Sequence, residues 1–156
     1  MLFRSERIRW SFSIWVTAIF LNLLIALTFW GVLDTKPTLA LLSLSLLLTL
    51  AWAKSSEYEI VVNEKQLRVG KASIDLRFVG EITALDSHQM KVARGVEIDP
   101  SAYLAIRSWI KTGVKVTIND PRDPTPFWLI SSKQFRELAA AISARSEEHT
   151  SELQSH

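Results

Sequence analysis

The chain has 156 residues, 48% of them hydrophobic, and a formal net charge of only +2. That length accommodates one modest domain beside a membrane segment, and so small a charge excess argues against a nucleic-acid surface or a strongly acidic partner. There is no cysteine, which excludes disulfide frameworks, thiolate metal sites and cysteine nucleophiles.

The apolar residues concentrate at the start. Residues 1–9 form a flank with Arg4, Arg7 and Arg9 against a single Glu6. Two apolar runs come next, Trp10–Leu33 and Thr38–Ala53, parted by the elbow Asp34-Thr35-Lys36-Pro37. A spanning helix takes about 20 apolar residues to cross about 30 Å of hydrocarbon. Trp10–Val32, with no charged residue or histidine, predicts a full span with Trp10 and Trp30 at headgroup level. Thr38–Ala53 gives roughly 24 Å of helix at 1.5 Å per residue, and Pro37 and Lys54 extend or snorkel at its edges.

A buried soluble helix is the rival reading of this second run. A secretory signal, suggested by Ala51-Trp52-Ala53, is disfavoured because the apolar stretch before it is too long and is broken by Asp34 and Lys36. Asn22, midway along the first span, is expected to bond Ser43, Ser45 or Thr49 of the second, ahead of contacting a ligand or partner subunit. With no ionisable group inside either span, and only two spans, a transporter is disfavoured. The basic flank and Lys54 predict a multi-pass plasma-membrane protein with both termini cytoplasmic.

From Glu57 the apolar period changes to two. Short strands are predicted around Tyr58–Val62, Leu67–Val69, Ile74–Phe78, Ile82–Leu85, Tyr103–Ser108, Val114–Asn119 and Phe127–Ile130. A polar loop is expected over Asp86–Pro100. Phe135, Leu138, Ala139 and Ile142 then fall on one helical face, with Ser131 and Gln134 spaced for a capping box. The expected fold class is a membrane α-hairpin followed by a mainly-β antiparallel barrel with a C-terminal helix.

That order of elements resembles the pleckstrin-homology-like barrel, a likeness that carries no function. More specifically, the chain resembles a family of small actinobacterial two-span membrane proteins of unknown function. The resemblance rests on Leu76-Arg77-Phe78-Val79-Gly80-Glu81, Ala102-Tyr103-Leu104 and Asp120-Pro121-Arg122-Asp123-Pro124-Thr125-Pro126-Phe127-Trp128. It implies a membrane location and no activity. Residues 145–156 look like a translated sequencing adapter and are set aside, together with His149 and His156; the course of the natural chain beyond Ala144 is left open. The organisation expected is a cytoplasmic flank (1–9), a two-helix hairpin (10–53), a cytoplasmic β domain (54–144) and an adapter-like tail (145–156).

Little in the body points to catalysis. His88 stands beside Asp86 and Ser87, but three successive residues cannot converge as a triad. No GxSxG, HExxH, P-loop or GxGxxG pattern occurs. We therefore expect no enzyme, cofactor or metal. Asp120, Arg122, Asp123 and Trp128 are candidate partner-binding residues on a proline-stiffened loop; the structural alternative has Asp120 capping the turn and Arg122 pairing with a nearby carboxylate. Lys65, Arg68 and Lys71 are candidate lipid contacts beside an anionic leaflet.

The expected partners are the lipid bilayer and a protein or membrane complex, not nucleic acid. The expected function is a non-catalytic membrane-tethered binding or scaffold module. The alternatives are an accessory subunit of a membrane complex and an enzyme with an unrecognised site in the β domain.

Overall fold

The computed structural model describes residues 5–155, which divide into two compact units: Arg9–Glu57, and the residues before and after it. Arg4 of the basic flank and His156 of the tail lie outside the described residues.

The first unit is a helical hairpin of α1 (Phe12–Trp30) and α2 (Thr35–Ser55). Helix α2 is longer than its apolar run. Its first turn takes in Thr35-Lys36-Pro37, where a proline is tolerated because its missing N–H would have no partner there anyway. At the other end Lys54 and Ser55 continue the helix, so its 21 residues reach roughly 31 Å at the usual rise. Both helices are long and apolar enough to cross a membrane.

Their polarity is inverted relative to a soluble hairpin. Leu27 is 73% exposed and Leu47 65%, whereas Asn22 is 6% and Thr38 1% exposed. The Asn22 amide donates to the Ala18 carbonyl (2.8 Å) and to Thr49 Oγ1 (3.3 Å), and its oxygen accepts from Ser45 Oγ. Ser43 instead donates to Leu39 of its own helix. Asn22→Ala should therefore lower the midpoint of a dodecyl sulfate titration by the equivalent of about 1 kcal/mol. Ser43→Ala should leave that midpoint unmoved.

Among the described residues, the second unit contains eight strands in two sheets. Sheet A is β1 (Ser5–Ile8), β2 (Tyr58–Val62), β3 (Gln66–Val69) and β4 (Ala72–Asp75) in that order, antiparallel throughout. The flank expected ahead of the first helix thus contains a strand. Gly70, at φ +60°, makes the β3–β4 turn, where a side chain would be strained.

A 3-10 turn, Leu76–Phe78, leads into β5 (Val79–Leu85). With β7 (Gly113–Ile118), β8 (Phe127–Ser131) and β6 (Tyr103–Ala105), β5 makes sheet B in the order β5-β7-β8-β6. The closed antiparallel barrel expected from the strand spacing is not formed. Strand β4 does not pair with β5, because the 3-10 turn breaks the ladder between them, and β6 runs parallel to β8.

Two further expectations are corrected. The stretch Asp86–Pro100 is not all loop: it contains α3 (Ser87–Arg94), which carries His88 and opens with a capping box between Asp86 and Gln89. The capping box expected from Ser131 and Gln134 is absent because β8 extends through Ser131; Ser132 Oγ accepts from the Gln134 N–H instead. Helix α4 (Phe135–Gln154) then buries Leu138, Ala141 and Ile142.

These three side chains close one core with Ile60, Leu67 and Val69 of sheet A and Val114, Val116 and Ile130 of sheet B. Each fully buried aliphatic side chain contributes about 1.5–3 kcal/mol. The other face of sheet B is covered by α3, where Met90 and Ala93 pack with Leu85 and Leu129. Strand β8 is therefore buried on both faces, which explains its apolar run without alternation, whereas β7 alternates buried Val114, Val116 and Ile118 with half-buried Lys115 and Thr117.

Candidate functional site

The three segments on which the family resemblance rests come together. Val79 of β5 pairs with Ile118 at the end of β7, and the Asn119 N–H donates to the Phe78 carbonyl at 2.7 Å. Tyr103 of β6 lies beside Trp128 of β8, ring centroids 4.8 Å apart.

At the surface of this junction the Phe78 ring is flanked by two guanidinium groups, Arg77 at 4.7 Å and Arg122 at 5.5 Å. Each arginine also reaches a carboxylate: Arg77 Nε lies 3.4 Å from Asp75, and Arg122 Nε lies 3.4 Å from Asp120. Exposed pairs of this kind add little stability, but they hold the two guanidinium planes against the ring.

The proline loop is internally braced. Asp120 Oδ1 accepts from the Arg122 N–H (2.9 Å), and Asp123 Oδ1 accepts from the Thr125 N–H (2.9 Å). These are the Asx turns expected of aspartates among prolines. The Thr125 hydrogen bonds, side chain first and then backbone, hold the Asp123 carboxyl below the usual aspartate range. A depressed carboxyl favours the folded turn above its ordinary titration range, and that contribution is lost as pH falls through the lowered value. In a pH titration by NMR, the Thr125 amide shift should therefore track a midpoint below that of a free aspartate. Asp123→Asn should abolish the transition.

The four candidate partner-binding residues do not share one environment. Arg122 is exposed, Asp120 and Asp123 are half-buried, and Trp128 is only 5% exposed within the main core. Trp128 is thus a packing residue and not an exposed anchor. The candidate lipid contacts also separate: Lys65 lies in the β2–β3 turn and Lys71 in the β3–β4 turn, at opposite ends of β3. Arg68 stands on the exposed side of β3 between them and reaches the Gly70 carbonyl through Nε at 3.4 Å. Lys65 does line a cleft of about 740 Å³, but with Glu59, Glu64 and the tail residue Arg145, so no basic pocket forms.

A second polar cluster, which sequence reasoning missed, crosses between the sheets. The Tyr58 hydroxyl lies 3.0 Å from the carbonyls of both Ala105 and Ser131, and Tyr103 donates to Val69 at 3.2 Å. Burial pushes the Tyr58 phenol above its ordinary value, against the opposing pull of Arg107, so it stays a protonated donor. Arg94 Nη2 reaches the carbonyls of Arg107 and Ile110 and the Ser131 hydroxyl, and Thr112 donates to the Ser132 carbonyl at 2.6 Å. The Glu6 carboxylate accepts from Ser132 Oγ and the Lys133 N–H.

The backbone explains the cluster. Beyond the parallel β6–β8 pair the chain turns away, leaving carbonyls that need donors. Nothing in the spacing of Tyr58, Arg94 and Arg107 along the chain signals that they meet. Among the described residues, no three His, Cys, Asp or Glu side chains form a group that could hold a metal ion.

The protein-family model described as "Protein of unknown function (DUF3093)" matches residues 3–142. The chain belongs to the DUF3093 family. No curated protein and no solved structure matches it. The DUF3093 match takes in the apolar hairpin, both sheets and the part of α4 that packs on the core, and it stops short of the adapter-like tail.

Proposed function

We propose that this DUF3093 protein is a two-span plasma-membrane protein whose β unit is a non-catalytic, cytoplasmic binding or scaffold module. The observation that carries the reading is the inverted polarity of the hairpin. Its Leu, Ile and Phe side chains face outward over the length of both helices, while Asn22, Ser45 and Thr49 bond to one another within it. Water penalises that distribution and hydrocarbon favours it. It also weighs against the buried soluble helix considered for Thr38–Ala53, because most of that helix's leucines are exposed.

The signal-peptide reading loses ground for a different reason. Cleavage after Ala53 would remove β1, whose Ile8 is in the main core. The absence of a dense basic pocket around Lys65, Arg68 and Lys71 favours a protein partner over a lipid headgroup for the β unit. We place the recognition surface at Arg77, Phe78 and Arg122, where a half-buried aromatic ring and two exposed planar cations offer the side-chain types that anchor interfaces. Asp120 and Asp123 act there by shaping the loop.

The test is site-specific photocrosslinking in native membranes from Arg122 and, as control, from Ser73 on β4. A discrete protein adduct from position 122 that disappears in an Arg77→Glu background supports the assignment. Equal labelling from both positions contradicts it. An accessory-subunit role would give the same adduct, together with loss of the protein when its partner is deleted.

A further inference from the structure

Strand β1 precedes both apolar helices in the chain and β2 comes after them, yet the two pair residue by residue from Ser5↔Val61 to Ile8↔Tyr58. Ile8 is buried in the main core, and Glu6 presents its carboxylate to Ser132 and Lys133 at the β8–α4 junction. Four residues therefore supply an edge strand, a core side chain and a buried acceptor to a unit from which the whole hairpin separates them.

Strand pairing cannot take place through hydrocarbon, where every backbone polar group must be satisfied within a helix or a closed barrel. Pairing β1 with β2 thus demands an even number of crossings between Ile8 and Tyr58. This constraint is independent of the arginines and lysines that set orientation by charge.

We propose that β1 makes folding of the β unit conditional on insertion of both helices, an inference that rests on the membrane reading above. A chain in which α1 crosses and α2 does not leaves β1 on the far face. Sheet A then ends at an unpaired β2, the core lacks Ile8, and the Ser132 hydroxyl and Lys133 N–H lose their acceptor. Such a chain presents a loosened β unit to proteases, while a correctly inserted one does not. The strand acts as a topological check built into the fold.

The test uses the full chain in vesicles opened so that protease reaches both faces. Three forms are compared: wild type, Ile8→Asp, and a form in which Leu44→Arg, Leu47→Arg and Leu48→Arg keep α2 out of the bilayer. Cleavage between residues 58 and 142 should be about tenfold faster or more in both altered forms, since proteolysis tracks the population of the open state. A fourth form, Ile8→Val, should keep the protection of the wild type. Cleavage of either altered form at the wild-type rate would overturn the proposal. Release of the wild-type chain by alkaline carbonate would instead refute the membrane reading, and the Ile8→Asp comparison would still judge the strand.

Discussion

Gly113→Ala should lower the melting temperature of the β unit by about 10 °C or more, one of the two largest effects expected of any single change here. A Cβ at this position would stand 2.2 Å from the Ile130 carbonyl oxygen and 2.8 Å from Met90 Cε. The methionine can move, but the carbonyl belongs to the backbone of β8 at the place where β7 enters its ladder. Relief requires the two central strands of sheet B to part where β8 and the Gly113-Val114 end of β7 are both buried. Overpacking a well-filled core costs about 1–3 kcal/mol, and a collision with backbone belongs at the upper end. About 3 kcal/mol in a unit of this size corresponds to the stated shift. Gly80→Ala makes the control: its Cβ would meet the Asn119 side-chain amide at 2.5 Å, and that group can swing aside. Circular-dichroism melts of the detergent-solubilised chain would measure both.

Trp128→Ala should destabilise the same unit by about 3–5 kcal/mol, the usual cost of emptying a large aromatic site. The indole lies against Tyr103 and belongs to the main core. Arg122→Ala should change stability by less than about 0.5 kcal/mol, because the Arg122 side chain is exposed to water. The contrast separates two roles that composition alone had joined. If recognition operates at this loop, Arg122→Ala weakens partner capture without a change in melting, whereas Trp128→Ala weakens it only through unfolding. Equal melting of the two variants would return Trp128 to the surface.

The residues explain why some of this was legible and some was not. The hairpin could be read because its signal is local: an uncharged run bounded by tryptophans, then a proline elbow. Asn22 was readable for the same reason, since a lone amide among leucines has few partners other than the opposite helix. The β strands could be placed approximately from their period of two. Their assembly could not, because whether β4 continues into β5 depends on a single 3-10 turn at Leu76–Phe78 whose alternation looks like a strand. Helix α3 was hidden in a polar stretch that exposes most of its surface and buries only Met90 and Ala93. Strand β1 gave no signal at all. Four residues with three charged or polar members read as a flank, and only the pairing with β2 identifies them as part of the sheet. In the proline loop the turn-forming aspartates could be read, and Asp120 and Asp123 each accept from the N–H two residues on. Whether its tryptophan faced in or out could not be read from composition.

Because the chain contains no cysteine, a single introduced thiol reports its own location. Lys36→Cys in the elbow and Ser73→Cys on the exposed side of β4 would be treated separately with a membrane-impermeant maleimide, in intact cells and after lysis. Labelling at position 36 in intact cells, with labelling at position 73 only after lysis, is the result predicted for two crossings with the β unit inside. Labelling of both positions in intact cells, or of neither, would contradict it.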